Sequence, residues 1–132
     1  MNGPYKRNPY HPEHLIIKAS SGNIVRSKSE ALIDMVLYTN QIPFRYECEL
    51  ELGGEILYPD FTIRHPETGK IIYWEHYGRM DDPKYRKRAL TTLDIYMSNG
   101  ILPSDLLITT YETIEQPLQV SEIEKLVRDY FL

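Results

Sequence analysis

The hydrophobic pattern is clearest between residues 57 and 77, where two short apolar segments flank a polar stretch. Residues 58–63 and 71–77 are both rich in β-branched and aromatic side chains. Pro66 and Gly69 lie in the stretch between them, and both residue types favour turns. This pattern predicts a β-hairpin.

The length of the hairpin loop determines which residues of the two strands face each other. If residues 66–69 form the loop, His65 pairs with Lys70, and counting outward places Asp60 directly opposite Glu75. Because side chains alternate along a strand, one face then carries Tyr58, Asp60, Thr62, Tyr73, Glu75 and Tyr77. Opposed residues lie roughly 4.5–5.5 Å apart at Cβ, a distance at which two like charges destabilise the pair. A hard divalent cation such as Mg²⁺, or Mn²⁺ in its place, is therefore the expected partner of these two carboxylates.

Helical periodicity appears in three other segments. The first helix is predicted to begin at Ser27, where residues 27–30 have the spacing of a capping box, and to end near Asn40. Asp82 and Pro83 supply a cap and a first-turn proline for a second helix that runs to Asn99. Its predicted inner residues are Tyr85, Ala89, Leu93, Tyr96 and Met97. The third helix is predicted to start at Ser121, where the capping-box spacing recurs.

The remaining apolar segments read as strands. Residues 44–52 alternate strictly between apolar and polar positions, which predicts one strand followed by a Gly53-Gly54 turn. Residues 106–110 form a short apolar run typical of a buried strand, and residues 15–26 predict a small hairpin. The order is helix, three strands, helix, strand and helix. This order predicts an α/β fold, with a mixed sheet covered by helices on both faces.

Composition sets the class of protein. A chain of 132 residues with 42% hydrophobic and 26% charged residues fits one globular domain. No apolar run approaches the roughly 20 residues of a membrane span, and the start of the chain lacks the apolar region of a signal peptide. We therefore expect a cytoplasmic protein without membrane contact. Cys48 is the single cysteine, which excludes an internal disulfide and any multi-cysteine zinc site.

Charge is distributed unevenly along the chain. The net charge of −4 does not indicate nucleic-acid binding by itself, yet basic residues gather in residues 1–28 and 79–88. If both segments flank the hairpin, their side chains can contact phosphates, and a solvated charged surface is the equally weighted alternative. The predicted phosphate contacts are Arg26, Lys28, Lys84, Arg86, Lys87 and Arg88.

The motifs around the two carboxylates resemble a known family. Tyr58-Pro59-Asp60-Phe61 and Trp74-Glu75-His76-Tyr77-Gly78, preceded by a helix opening with Glu30, are similar to the PD-(D/E)XK nuclease superfamily. The second motif resembles the variant of that superfamily that reads Glu-His-aromatic-Gly. The resemblance covers roughly residues 20–132 and leaves residues 1–19 as an arm that enters the small hairpin. It implies a restriction-endonuclease-like αβββαβ core.

The resemblance also implies roles for individual residues. Asp60, Glu75, Glu30 and the backbone carbonyl of His76 are the implied metal ligands, and the three acids are also catalytic. The superfamily has a lysine two residues after the glutamate, where this chain has Tyr77, and a phenol with a pKa of about 10 carries no positive charge at neutral pH. In the related variant the lysine is found on the following helix, so Lys84 or Lys87 is the implied replacement. Tyr77 can donate a hydrogen bond to a phosphate.

The predicted function is that of a Mg²⁺-dependent nuclease. Its predicted substrate is DNA, and RNA is the alternative substrate. The alternative is a module that kept the nuclease fold, lost turnover, and binds nucleic acid or serves in assembly. Glu30 has two readings, as a helix cap and as a third acid of the site, and these readings are compatible. Glu47 either joins the acidic site or is an exposed strand residue, and the His76 side chain is either a general base or a packed, hydrogen-bonded residue. A homodimer and a complex with a partner protein both stay open.

Overall fold

The computed structural model describes residue 1 and residues 3–132. In this part of the chain, three α-helices surround a four-stranded mixed sheet, and two smaller two-stranded sheets are added to it. The α/β class and the mixed sheet are therefore as predicted. The strands are β1 (Ile17–Lys18), β2 (Ile24–Val25), β3 (Phe44–Tyr46), β4 (Leu50–Leu52), β5 (Glu55–Leu57), β6 (Phe61–Arg64), β7 (Ile71–Tyr77) and β8 (Leu107–Tyr111), and the helices are α1 (Lys28–Thr39), α2 (Pro83–Ser98) and α3 (Val120–Phe131).

The central sheet has the strand order β3-β6-β7-β8. Its first three strands are antiparallel, and β8 runs parallel to β7. Phe61 pairs with Trp74, and the amide of His65 donates to the carbonyl of Lys70 at 2.8 Å. This register confirms the predicted four-residue loop. It also places Asp60 and Glu75 next to each other, one step beyond the last pair of the β6–β7 ladder.

One face of the sheet carries the hydrophobic core. Trp74 and Phe61 are fully buried there, and α1 and α3 pack over them with Ile33 and Ile123. Burying side chains of this size contributes roughly 1.5–3 kcal/mol each, so this face is the main source of stability.

The opposite face carries the acids and is covered by α2. Tyr96 of α2 is fully buried, and its ring lies 6.1 Å from the ring of Tyr73 on β7. Ala89 is also buried, as predicted for the inner stripe of this helix. Met97, predicted to face inward, is instead 49% exposed. Helices therefore lie on both faces of the sheet.

The predicted strand over residues 44–52 is wrong, because the chain breaks at Glu47. This residue has a left-handed backbone with φ of 51°, its amide donates to the carbonyl of Asp60 at 3.0 Å, and its carbonyl accepts from the amide of Asn8. The turn separates β3, which joins the central sheet, from β4, which pairs only with β5 across Gly53-Gly54. The first strand of the central hairpin also differs from the prediction, because it begins at Phe61 rather than at residue 58.

Two end regions also differ from the sequence pattern. Helix α3 starts at Val120 with Gln119 as its N-cap residue, because the amides of Glu122 and Ile123 both donate to the carbonyl of Gln119. Ser121 is thus inside the helix and forms no cap. The N-terminal arm has local structure of its own, since Arg7 bridges to Cys48 and residues 12–14 form a short 3₁₀ turn. None of the helices in the described residues is both long and apolar enough to cross a membrane.

Candidate metal centre

Three carboxylates meet at the edge of the central sheet. Glu30 comes from the first turn of α1, Glu47 from the break between β3 and β4, and Asp60 from the residue before β6. One oxygen of each lies within 4.8 Å of the others. Glu30 and Glu47 are 9% and 5% exposed. Such a cluster of desolvated acids is unfavourable unless protons or a cation neutralise it.

Glu30 combines its two predicted roles. Its amide donates to the Ser27 hydroxyl at 3.2 Å, which is the helix cap expected from the sequence. Its carboxylate lies inside the site, where Oε1 accepts from the Tyr46 hydroxyl and, at 3.5 Å, from the Arg26 amide. The cap and the inward carboxylate therefore coexist.

Glu47 is held by Arg26. The guanidinium donates from Nε to Oε2 at 2.7 Å and from Nη2 to Oε1 at 3.1 Å, a fork-to-carboxylate geometry. Its remaining hydrogen bonds go to the carbonyls of Tyr10 and His11. Arg26 is thus engaged within the protein while it also lines the larger hollow at the site, and its predicted phosphate contact stays a prediction. Glu47 is buried although its strict sequence alternation indicated exposure, since alternation cannot show a left-handed residue.

Asp60 and Glu75 are neighbours, as predicted, but they have different surroundings. Asp60 Oδ2 accepts from the His76 amide at 2.7 Å, while the Asp60 amide donates to Glu75 Oε1 at 3.3 Å. Glu75 Oε2 accepts from the Tyr96 hydroxyl at 3.0 Å. Both oxygens of Glu75 therefore have protein partners, and Glu75 stands beside the cluster of three rather than inside it. The His76 carbonyl, an expected metal ligand, accepts a long hydrogen bond of 3.5 Å from Tyr85.

Burial controls the acidity of these groups. It raises the pKa of Glu75 to about 7, with the Tyr96 hydrogen bond opposing the shift. Burial, with the charges of Glu75 and Glu30, raises the pKa of Asp60 well above its usual range. Burial also raises the pKa of Glu30. At neutral pH the site therefore resists full ionisation unless positive charge is added.

The donor set fits a hard divalent cation. Among the described residues, Glu30 Oε2 and Asp60 Oδ1 accept no hydrogen bond, so each has an oxygen free for a ligand. Mg²⁺ is commonly bound through one or two carboxylates, with water and phosphate in its other positions. Glu30 and Asp60 satisfy that requirement. Glu47 is a weaker candidate ligand, because both of its oxygens accept hydrogen bonds from Arg26.

Two adjoining hollows lead to the acids. The larger, of about 430 Å³, is lined by Glu30, Asp60 and Arg79, together with His14 from the arm. The smaller, of about 160 Å³, is lined by Asp60, Glu75 and Arg88. Asp60, His76 and Tyr85 border both. The acids thus lie at the floor of a cleft that is open to a large ligand.

The cations at this cleft are arginines. Arg79 and Arg88 each place a guanidinium 5.9 Å from the ring centre of Tyr85. Lys84 and Lys87 are exposed on α2 and line neither hollow. The structure therefore does not bring Lys87, the predicted catalytic cation, to the acids, and its neighbour Arg88 lies there instead.

Two further predicted phosphate contacts lie away from the acids. The Arg86 guanidinium donates to the Met80 carbonyl at 2.7 Å, and Lys28 is exposed on the first turn of α1. Neither residue lines the two hollows at the site.

The His76 side chain belongs to the core face. Its Nε2 lies 2.5 Å from Glu112 Oε1 and its Nδ1 lies 2.7 Å from Thr110 Oγ1, which in turn accepts from the Trp74 indole at 3.1 Å. A neutral ring with its proton on Nε2 satisfies every partner. Burial lowers the pKa of His76 accordingly. The packed reading of His76 is therefore confirmed, and the Glu112 partner carried no sequence signal because it is 36 residues away.

Tyr77 lies on the acid face of β7, as its position in the alternation predicts. It is 5% exposed, its ring stacks on Tyr111 at 5.4 Å, and it lines the smaller hollow. Its hydroxyl finds no hydrogen-bond partner within the described residues. Burial and the charge of Glu75 raise the pKa of this phenol, so it remains a neutral donor.

Fold and site together define an α/β protein with a buried acidic cluster in an arginine-bordered cleft. No family model matches the chain, and no solved structure matches it. A protein of Methanocaldococcus jannaschii, described as uncharacterized protein MJ1519, is 33% identical over 93 residues. The match covers 70% of this chain and 8% of that relative, so the chain spans only a small part of the relative's length.

Proposed function

We propose that this protein is a metal-dependent nuclease that hydrolyses phosphodiester bonds of DNA. RNA is the alternative substrate. The observation that carries the proposal is the meeting of Glu30, Glu47 and Asp60 within 4.8 Å, where Glu30 and Asp60 line an open hollow. Burial makes the ionised form of these acids unfavourable, and the nearby arginines attract a polyanion. Both features fit a site where a cation and a phosphate bind together.

The element order supports a restriction-endonuclease-like core, as in the PD-(D/E)XK superfamily. Helix α1 precedes β3, β6 and β7, which are followed by α2 and β8 in one mixed sheet. Asp60 and Glu75 lie at the adjacent positions that the family pattern requires.

The metal would be held by the free oxygens of Glu30 and Asp60. When bound, Mg²⁺ supplies a Lewis acid that lowers the pKa of water and offsets charge on the phosphate. The chain contributes positioning: the His76 amide and the Glu75 carboxylate fix Asp60 from two sides. The Arg26 guanidinium fixes Glu47.

The arginines of the cleft would draw the nucleic acid to the acids. Arg79 and Arg88 bracket the Tyr85 ring, and their charge partly offsets the local excess of carboxylates. A polyanion can approach such a mixed site, since phosphate neutralisation by arginine dominates nucleic-acid affinity.

A nuclease-fold module without turnover is the second candidate. One observation favours it: in the described part of the chain, no lysine lines either hollow at the site. Such a protein would bind nucleic acid in a metal-dependent way and leave it intact.

The deciding experiment incubates DNA and RNA with the protein in Mg²⁺, Mn²⁺ or EDTA. The wild type should cleave only with metal, and Asp60→Asn should lose at least a hundredfold in rate, the scale of lost charge stabilisation at a reacting phosphate. Asp94→Asn, an exposed acid on α2, is the matched control and should cleave normally. Metal-dependent binding without cleavage would establish the second candidate, and equal cleavage by Asp60→Asn would reject the site.

A further inference from the structure

The smaller hollow beside Asp60 has features that the acidic cluster does not explain. Tyr77 and Arg88 line it together with Asp60 and Glu75. It adjoins the larger hollow and shares Asp60, His76 and Tyr85 with it. A ligand that enters the cleft can therefore place one group in each hollow.

The Tyr77 hydroxyl is the first sign of a missing partner. The residue is 95% buried, and nothing in the described part of the chain hydrogen-bonds to its hydroxyl. Buried polar groups in folded proteins are nearly always paired, and a bound ligand, ion or water is one explanation for an exception. As a neutral phenol, Tyr77 offers a hydrogen-bond donor to an acceptor.

Arg88 is the second sign. Its guanidinium lies near the Tyr85 ring and forms no ion pair among the described residues. A guanidinium presents a planar fork of donors that matches phosphate oxygens. Arg88 and Tyr77 together give the hollow two hydrogen-bond donor groups. The acids beside them repel a phosphate, so the phosphate can bind there only together with a cation.

The size of the hollow limits what it can accept. With a volume of about 160 Å³, this hollow has room for a phosphate group and is the smaller of the two. The neighbouring volume of about 430 Å³ has room for a sugar and base.

We propose that the smaller hollow is the phosphate subsite of this protein, in which the Tyr77 hydroxyl and the Arg88 guanidinium donate to phosphate oxygens. The sugar and base of the same nucleotide lie in the larger hollow. This inference rests on the proposed function, because the cation that balances the acids beside the phosphate is the metal proposed there for Glu30 and Asp60. It assigns to α2 an arginine, rather than a lysine, as the residue that contacts the phosphate.

The test compares thymidine 5′-monophosphate with thymidine, neither of which contains a phosphodiester bond. Titration calorimetry in saturating Mg²⁺ gives both affinities for the wild type, Tyr77→Phe and Arg88→Gln. Each variant should weaken monophosphate binding about tenfold, equivalent to roughly 1.4 kcal/mol, and leave thymidine binding unchanged. Lys87→Gln and Tyr111→Phe are the matched controls, since Lys87 adjoins Arg88 in sequence, Tyr111 stacks on Tyr77, and neither lines the hollow. Both variants should bind as the wild type does.

A melting experiment on each variant keeps the result interpretable. Tyr77→Phe removes an unpaired buried hydroxyl, so its melting temperature without ligand should equal or exceed that of the wild type. If Tyr77→Phe and Arg88→Gln bind the monophosphate as the wild type does, the subsite is rejected, and the hydroxyl is paired only by water. Absence of any monophosphate preference over thymidine in the wild type also rejects it. If the wild type does not cleave nucleic acid but binds the monophosphate with the predicted dependence on Tyr77 and Arg88, the nuclease function is rejected and the phosphate subsite stands.

Discussion

At the residue scale, Glu30 joins the start of a helix to the acidic cluster. Its amide serves the Ser27 cap, while its carboxylate lies within 4.8 Å of Glu47 and Asp60 oxygens. The two functions reside in different atoms and are therefore separable by mutation.

Glu30→Gln should abolish most metal-dependent cleavage without harming the fold. The backbone cap is unchanged and the amide still accepts from Tyr46, so the free energy of unfolding should stay within about 0.5 kcal/mol or rise. A neutral ligand weakens the hold on a hard cation, and the rate should fall at least tenfold. Ser27→Ala provides the reverse case, with a stability loss of about 1 kcal/mol and near-normal cleavage below the melting range. Urea unfolding and a cleavage assay on both variants check this, and normal cleavage by Glu30→Gln would leave Glu30 as a capping residue alone.

Glu75 should make the metal-free protein less stable as pH rises. Its pKa is raised from 4.5 in the unfolded chain to about 7 in the fold, so between these values the folded state binds more protons. The contribution of Glu75 is then fully present below pH 4.5 and is lost as pH rises through 7. The interval corresponds to roughly 3 kcal/mol at most. Urea unfolding in EDTA from pH 4.5 to 8 should show the wild type losing stability relative to Glu75→Gln, and a wild type that holds or gains stability relative to this variant as pH rises would contradict the assignment.

At the element scale, the Arg26–Glu47 pair joins three parts of the chain. Arg26 follows β2, Glu47 separates β3 from β4, and the same guanidinium holds the carbonyls of Tyr10 and His11 in the arm. The pair is largely buried, with side-chain exposures of 17% and 7%.

Arg26→Gln should therefore destabilise the protein and loosen the arm. Removing one partner of a buried pair leaves the other charge uncompensated, and we expect a loss of about 3 kcal/mol. Arg26→Gln combined with Glu47→Gln should recover a large part of that loss, because no isolated charge remains. A double-mutant cycle by urea unfolding measures the coupling, and limited proteolysis reports on residues 1–14. Strictly additive losses would show that the two side chains act independently.

At the scale of the whole molecule, the proposed cation site links folding to cation binding. A fold that gathers four carboxylates, of which only Glu47 has an arginine partner, should be stabilised by any cation that binds the folded state alone. The core on the other face supplies stability without the metal.

Mg²⁺ should raise the melting temperature in proportion to the logarithm of its concentration. The gain is about 2.7 kcal/mol when the ion is at a hundred times its Kd. Asp60→Asn should lose this response, and NaCl at matched ionic strength should not reproduce it. Differential scanning calorimetry with the two proteins tests the claim. An equal response in Asp60→Asn would place the ion elsewhere.

Much of the fold could be predicted from local patterns. The α1 cap at Ser27, the α2 cap at Asp82 and the four-residue loop of the β6–β7 hairpin depend on neighbours in sequence, and the structure has all three. The adjacency of Asp60 and Glu75 followed from that loop by counting. These features were readable because each is decided by residues within one turn or one hairpin.

The composition of the site depended on contacts that no local pattern contains. Glu47 enters the cluster through a left-handed backbone that the Asp60 carbonyl and Asn8 amide stabilise, so its alternation was misleading. Arg26 was assigned to phosphate, yet its burial beside Glu47 is set by chain segments 21 residues apart.

The sequence by itself therefore determined the α/β class, the hairpin register and two acids in contact. Only the tertiary structure decided that Glu47 joins Glu30 and Asp60. It also decided that Glu75 accepts a hydrogen bond from Tyr96, and that Arg88 rather than Lys87 lines the hollow beside the acids. The reason is physical: hydrogen bonds within a turn or hairpin are set by residue order. The rotation of α2 and the burial of separate charges are set by how distant elements pack.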